Sequence, residues 1–430
     1  MLDRARVRRD NGIVGSRLGP FGQLPFTIYW AGGLLSNIGT WLQAVVASVF
    51  VYDRTGSALA VGILNFATFL PILLFSVWGG VLSDRIDRRK IAIVTHVFSL
   101  IVASALAMLT FMGLTSEVHV IATAFLLQTS WAIAKPSVIS MVPALVPRAM
   151  LREAVSLNTL QFMVAQLVGP LLATVLLGAS GFTFAFALNA VTFLGPVLSM
   201  VYLYARGLAG RAPRERGAVV ASATGLLAYI RQQPWIAAAL VGVVATSAVV
   251  EIIRTTAPAL VTTRLGRPSE ETGFIFAASS IGMVTGILLS VPLGRAGLAR
   301  ATAVVGLVLQ FAGLFTLGLA RDFAVAAPGV ALVGCGFSFC FPVLTSALQS
   351  EVPDAIRGRL MSIHQMAHLG NRPFAALAAG AITAAMGAGV ACFAGMLLSP
   401  IGLVAVRSAW RALDRRVEIT GVAVEEGVAG

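Results

Sequence analysis

The stretch GGVLSDRIDRRK at residues 79–90 decides the fold class, because it connects two long apolar runs at 57–82 and 91–113. Each run exceeds the about 20 apolar residues that a helix needs to cross a hydrocarbon core of about 30 Å. The connection carries four Lys or Arg residues, and such clusters are typical of the cytoplasmic side of membrane proteins. The pattern predicts two antiparallel membrane helices joined on the cytoplasmic side.

Composition extends this prediction to the whole chain. Apolar residues make up 57% of the sequence and charged residues only 11%, whereas soluble domains carry about 25% charged residues. Such a chain could not cover a water-exposed surface, so we expect an all-α integral membrane protein with twelve transmembrane helices. The apolar runs cover residues 26–52, 57–82, 91–113, 118–146, 153–178, 182–205, 235–262, 272–293, 301–320, 323–349, 359–386 and 388–407.

Basic residues predict the orientation of these spans. Of the 31 Lys and Arg residues, 24 fall on one side of the predicted membrane, 4 fall on the other and 3 lie within spans. Since positively charged loops stay in the cytoplasm, we expect a multi-pass protein of the cytoplasmic (inner) membrane with both termini in the cytoplasm. Basic loops beside the anionic inner leaflet also account for the net charge of +13, so the expected partner is the lipid bilayer and not nucleic acid.

An internal repeat with an offset of 206 residues relates spans 4–5 to spans 10–11. Pro136 aligns with Pro342, and Pro147 aligns with Pro353. This indicates two pseudo-symmetric six-helix bundles related by an axis along the membrane normal, although prolines could also recur by chance at membrane edges. The predicted domains are a cytoplasmic segment at 1–25, a first bundle at 26–206, a cytoplasmic linker with an amphipathic stretch at 207–234, a second bundle at 235–407 and a cytoplasmic tail at 408–430.

The stretch 79–90 resembles the signature loop of the major facilitator superfamily, G-x-L-x-D-R-x-G-R-R. It departs from that pattern at one position, because Asp87 stands where the family carries its second glycine. The rest of the chain, including SNIGTW at residues 36–41, is similar to the enterobactin-exporter-like branch, whose members export siderophores, drugs and related small molecules. The residues that match the signature are Gly80, Leu82, Asp84, Arg85, Arg88 and Arg89.

The resemblance implies a conformational latch at this loop. Asp84 would meet the start of span 11 near Gly358, because a helix N-terminus attracts negative charge, and would hold the two halves together. The alternative is that the arginines of the loop only fix the topology. Gly169 and Pro170 in span 5 resemble the antiporter motif of exporters, but the glycines that flank that motif are absent. Because proline also kinks an ordinary helix, both interpretations of this pair stay open.

Charged residues within spans are candidates for function, because a charge at the centre of a membrane costs roughly 2.5–3.5 kcal/mol on insertion scales. Glu251 lies about 22 Å along span 7, and Arg254 follows on the same helical face. We predict that Glu251, Arg254 and His368 carry proton coupling, with Glu251 balanced between burial and a neighbouring cation. The alternative is an ion pair that neutralises itself and serves only the structure.

A second set of side chains predicts a substrate cavity with amide, aromatic and cationic lining. Lys135 and Arg372 lie deep in spans 4 and 11, where a cation must face water or an acid. Arg372 could bind an anionic group of the substrate or pair with Glu251. Small polar groups also join membrane helices to each other, so each residue has a structural alternative. The predicted cavity residues are Asn37, Trp41, Asn65, Gln128, Trp131, Lys135, Asn158, Gln161 and Arg372.

Taken together, these features predict a proton-coupled exporter (antiporter) of a small organic molecule such as a siderophore, drug or secondary metabolite. We expect it to work as a monomer by alternating access of its two halves. The alternatives are a lipid or lysolipid translocator on the same fold and a non-transporting membrane receptor. An enzyme is not expected, since the sequence shows no nucleophile–base pair, metal-ligand cluster or phosphate-binding loop; no catalytic residue, metal or cofactor is predicted.

Overall fold

The computed structural model describes the backbone of residues 19–210 and 223–428. Side chains are described in the same ranges, apart from those of Val77, Asp84, Asp354, Ala355, 223–227 and 416–428. Four predicted features therefore lie wholly or partly outside the described residues. They are the N-terminal segment up to residue 18, linker residues 211–222, the Asp84 side chain of the latch loop and the end of the tail, whose side chains are described only up to residue 415.

All regular structure within the described residues is helical, which confirms the predicted all-α class. The helices are α1 Leu24–Thr55, α2 Ala58–Arg85, α3 Arg88–Phe111, α4 Glu117–Ile139, α5 Leu151–Thr192, α6 Leu194–Ala205, α7 Ala223–Gln232, α8 Pro234–Ala259, α9 Thr272–Arg295, α10 Ala299–Leu319, α11 Phe323–Ser350, α12 Asp354–Leu369, α13 Arg372–Met386, α14 Ala388–Met396 and α15 Leu398–Val428. Short helical turns occupy Gly19–Gly22, Val142–Ala144, Arg148–Met150, Leu260–Arg264 and Ser269–Glu271.

Ten helical stretches in the described ranges are long and apolar enough to cross a membrane. One of them, Arg148–Ala205, has 58 residues, or about 87 Å of helix at 1.5 Å per residue, which exceeds one crossing of about 30 Å. Its backbone breaks at Gly181, where φ is 72°, between the predicted spans 153–178 and 182–205. The chain is therefore a multi-pass membrane protein, and the count of twelve spans stays a prediction.

The predicted span 359–386 is interrupted near its middle. Helix α12 ends at Leu369, and α13 begins at Arg372 with Pro373 in its first turn. Proline has no backbone N–H and cannot donate to the carbonyl four residues before it, but it is tolerated in the first turn of a helix. The sequence therefore places a helix start, with its unpaired N–H groups, directly at Arg372.

The helices fall into two compact units. Of the described residues, unit 1 holds 19–47 and 74–210, and unit 2 holds 48–73 and 223–428. The C-terminal end of α1 and the first half of α2 therefore belong to the same compact unit as the helices after residue 223. The predicted bundle bounds stay a prediction.

The core of unit 1 is built where α1 meets the ends of α4 and α6. Its buried members include Phe26, Met141, Met150 and Leu203. The core of unit 2 joins α8, α10, α11 and α15, and it includes Trp235, Leu307, Leu344 and Val406.

Small residues bring the helices of unit 2 into close contact. A Cβ atom on Gly306 of α10 would lie 2.6 Å from the carbonyl oxygen of Gly336 on α11, which is closer than side chains tolerate. Lipid tails are as apolar as leucine, so membrane helices associate through such close packing and through interhelical hydrogen bonds.

Candidate functional site

Unit 2 contains a buried acid beside two arginines. Glu251 of α8 is 0% exposed, and neither of its carboxylate oxygens has a hydrogen-bond partner among the described residues. The carboxylate interacts electrostatically with Arg254, one helical turn later on α8, and with Arg372 at the start of α13. The three ion pairs among the described residues do not include Glu251, so a direct pair of Arg372 with Glu251 stays a prediction. When all three groups are ionised, the acid and the two arginines together carry a net charge of +1.

The ring of Phe69 contributes to this cluster from α2. It is 5% exposed, and its centroid lies 5.3 Å from the guanidinium carbon of Arg254 and 5.2 Å from that of Arg372. Arg254 also lies 5.9 Å from the centroid of Phe276 on α9. Aromatic faces attract cations through the ring quadrupole, so Phe69 holds both guanidinium groups near Glu251. We call Glu251, Arg254, Arg372 and Phe69 the ion cluster.

Local geometry explains why the position of Arg372 is unusual. Arg372 is the first residue of α13, after Asn371, and the start of a helix carries partial positive charge that disfavours a cation. Arg254 and Arg372 carry the same charge and also repel each other there. The negative charge of Glu251 offsets both unfavourable effects. A cation at a helix start breaks a local rule of helix formation, and such exceptions are typical of functional positions.

Two further predicted residues of unit 2, Asn65 and His368, contact neighbouring helices. The Asn65 amide of α2 donates to the Thr255 hydroxyl of α8 over 3.1 Å, and both residues are buried. On α12, the His368 ring lies 4.4 Å from the ring of Phe341 on α11. Thus Asn65 links α2 to α8, whereas His368 packs beside α11.

In unit 1, two predicted cavity residues bind each other. The Asn37 amide of α1 donates to the Gln161 side-chain oxygen of α5 over 3.0 Å, and the Gln161 amide donates to the Trp30 carbonyl over 2.5 Å. The Trp41 ring packs edge-on against Phe162 at 5.7 Å. These contacts join α1 to α5. They match the alternative interpretation of these residues, in which small polar groups hold membrane helices together. Asn158, one turn before Phe162, keeps a buried side-chain oxygen without a described hydrogen bond.

Helix α4 carries the other deep cation. The Lys135 ammonium lies 4.3 Å from the centroid of the Trp131 ring. Gln128, Trp131 and Lys135 share one face of α4, as their spacing predicts, and all three are half-buried.

The signature loop packs against its own unit. Arg88 donates to the Ser140 carbonyl after α4 over 3.2 Å. Arg89 pairs with Asp87 over 2.6 Å and donates to the Leu208 carbonyl after α6 over 3.2 Å. These two arginines therefore tie the start of α3 to the ends of α4 and α6.

Asp87, the residue that departs from the family pattern, caps α3. Its side chain accepts a hydrogen bond of 2.9 Å from the backbone N–H of Arg89, which satisfies an unpaired group at the helix start. The Arg89 guanidinium, through its hydrogen bonds and charge, lowers the pKa of Asp87 below its usual range. The stabilisation is therefore complete at neutral pH and is lost only as the pH falls through that lowered pKa. Arg85 is exposed, and Gly80 and Leu82 are half-buried.

Gly169 of the antiporter-like pair lies where α5 touches α1. A Cβ atom there would lie 2.8 Å from the Ile38 carbonyl oxygen and 2.9 Å from the Leu42 backbone nitrogen. Gly169 and Pro170 are both buried. The pair therefore has a packing function between α1 and α5, and its involvement in antiport stays a prediction.

Comparison with known proteins covers nearly the whole chain. The model of the transmembrane secretion effector family matches residues 15–420. An uncharacterised transporter of the major facilitator type from Bacillus subtilis (strain 168), YfiS, is 24% identical over 408 residues, which is 91% of this chain and 94% of that protein.

Two further relatives have named activities. The multidrug efflux pump Tap of Mycolicibacterium fortuitum is 24% identical, covering 84% of this chain and 90% of that protein. The enterobactin exporter EntS of Citrobacter koseri (strain ATCC BAA-895 / CDC 4225-83 / SGSC4696) is 24% identical, covering 78% of this chain and 79% of that protein.

The fold also matches solved transporters. The crystal structure of a bacterial homologue of the human lysosomal transporter Spinster, inward-facing and unoccupied, has a TM-score of 0.72 at 13% identity, covering 93% of this chain and 98% of that chain. The family match, the signature loop and the helical fold agree with the resemblance found in the sequence. The chain belongs to the major facilitator superfamily of membrane transporters, with a match to its transmembrane secretion effector family over residues 15–420.

Proposed function

We propose that this transporter exports a small organic molecule, such as a siderophore, drug or secondary metabolite, in exchange for protons. Its relatives include a multidrug efflux pump and an enterobactin exporter, which supports export as the direction. Alternating access of two halves around a midplane site would move the substrate, as in other transporters of this architecture.

The observation that carries the proposal is the buried carboxylate of Glu251. Burial in a medium of low dielectric constant favours the neutral acid, whereas Arg254 and Arg372 favour the carboxylate. Any movement that separates α13 from α8 would weaken the second influence and favour proton uptake. Glu251 would therefore bind a proton in one state of the cycle and release it in the other.

The setting we propose is the cytoplasmic membrane, with the protein acting as a monomer and both termini in the cytoplasm. The distribution of 24 Lys and Arg residues on one side and 4 on the other supports this orientation. An inward proton gradient across that membrane would supply the free energy for export.

The Glu251→Gln variant tests the proposal, because glutamine keeps the size and polarity of the side chain but cannot exchange a proton. Wild-type protein in proteoliposomes should move protons when ethidium or enterobactin is added, as followed with a pH-sensitive dye inside the vesicles. We expect Glu251→Gln to abolish this proton movement. Glu270→Gln makes the same change in the turn Ser269–Glu271, outside the long helices, and should leave it unchanged. Undiminished proton movement in Glu251→Gln would refute the assignment.

A further inference from the structure

Lys135 of unit 1 differs from the two arginines of unit 2, because it faces no described acid. Three ion pairs are present among the described residues, and Lys135 takes part in none of them. The acid on its own helix, Glu117, lies 18 residues earlier, which is about 27 Å along the axis. A cation within a span is expensive unless it faces water or a counter-charge. Lys135 therefore needs water or an anion that the described acids do not supply.

The depth of Lys135 fits a ligand site within the membrane region. The apolar helical stretch runs from Glu117 to Ala144, and Lys135 lies nine residues before its nearer end. The side chain is half-buried, so part of its surface is not covered by the neighbouring helices.

The packing of α4 against α3 uses a different side of the helix from Lys135. On another side of the helix, the Ser130 hydroxyl donates to the Thr95 carbonyl over 2.7 Å and accepts from Ser99 over 2.9 Å. Ser130 is buried against α3 by these bonds. The half-buried face with Gln128, Trp131 and Lys135 is separate from this packed side.

The chemistry of that face consists mostly of hydrogen-bond donors. A lysine ammonium has three donors and no acceptor, and an indole has one donor and no acceptor. The indole also offers a broad apolar surface, over which the ammonium lies at 4.3 Å from the ring centroid. This combination fits an acceptor-rich anionic group attached to a flat apolar body.

We infer that Lys135 and Trp131 form the site that recognises an anionic, ring-bearing substrate, an inference that rests on the proposed transport function. The substrate carboxylate or phenolate binds the Lys135 ammonium, and the adjoining ring packs on Trp131. This site lies in unit 1 and the ion cluster lies in unit 2, so substrate recognition and proton binding are assigned to different residues.

The test uses two probes with the same ring and nearly the same size, the anion 2-naphthoate and its neutral amide 2-naphthamide. Binding to purified full-length protein is measured by calorimetry. Wild type should bind naphthoate more tightly than naphthamide, and Lys135→Met should lose about tenfold or more in naphthoate affinity with naphthamide affinity unchanged. Lys135→Arg should keep most of the preference for the anion, because it keeps the charge. Lys90→Met removes a lysine at the start of α3 and is the control.

Equal naphthoate affinity in wild type and Lys135→Met would overturn the inference, as would a wild type that binds both probes equally. Recovery of the preference in Lys135→Arg supports it and shows that the site folds. The binding result can be distinguished from a failure of the proposed function, since binding of the probes requires no proton movement. Charge-selective binding through Lys135 without proton movement would refute only the coupling.

Discussion

Glu251→Leu should lower the free energy of unfolding by about 3–5 kcal/mol, because removing one partner of a buried charge cluster leaves the others uncompensated. Arg254 and Arg372 would then face each other across Phe69 without an anion between them. The free energy is measured by denaturant titration of the purified protein in mixed micelles, followed by circular dichroism.

The matched control is Arg372→Leu, which removes a charge from the same cluster but leaves one acid beside one base. Arg372→Leu should lower the free energy of unfolding clearly less than Glu251→Leu does. The double variant Glu251→Leu/Arg372→Leu should recover part of the loss, since it also removes the repulsion between the two arginines; couplings of about 0.5–3 kcal/mol are typical of residues in one network. Equal losses in the two single variants, with simple additivity in the double, would contradict the ion cluster.

Gly169→Leu should destabilise unit 1 by about 3 kcal/mol, at the upper end of the usual cost of overpacking. Even a Cβ atom at this position would meet the backbone of α1 at Ile38 and Leu42. Backbone cannot rotate away as a flexible side chain can, so α1 and α5 would have to separate.

Gly178→Leu on the same helix is the control for this change. Gly178 has no atom within 4 Å of an added Cβ, and leucine favours a helix over glycine by roughly 0.5–1 kcal/mol. We therefore expect Gly178→Leu to keep the thermal unfolding temperature in detergent and Gly169→Leu to lower it sharply. Similar temperatures for both variants would show that the close contact with α1 is absent.

Much of the fold could be predicted from the sequence because lipid imposes simple rules. Apolar runs of fixed length and an excess of basic residues on one side lead directly to helices and their orientation. The break at Gly181 falls between two predicted spans. The division within α2 could not be predicted, because the first half of that helix belongs to unit 2 through packing that a hydropathy pattern does not encode.

The candidate site could be predicted only where a residue is unusual for its surroundings. Glu251 and Arg372 stand out as charges in apolar spans, and their interaction follows from the cost of leaving either alone. Phe69 carries no such signal, because a phenylalanine in a membrane span is ordinary. The amides Asn37 and Gln161 were predicted for the cavity, and the structure shows that they bind each other.

Asp87 shows a different limit of sequence reasoning. Comparison with the signature loop identified it as a departure from a glycine, without a reason for the change. The structure supplies one, since Asp87 caps α3 and pairs with Arg89. Helix capping depends on where a helix begins, and that boundary is weakly encoded in an apolar sequence.

The most direct test of proton-coupled export is the accumulation of ethidium or enterobactin by inverted membrane vesicles from cells that produce this transporter. In such vesicles the outer face of the protein lies inside, so export appears as uptake. We predict that an imposed acidic interior drives uptake above that of vesicles lacking the protein, and that a protonophore abolishes it. Uptake that is independent of the imposed pH gradient and insensitive to the protonophore would contradict proton coupling.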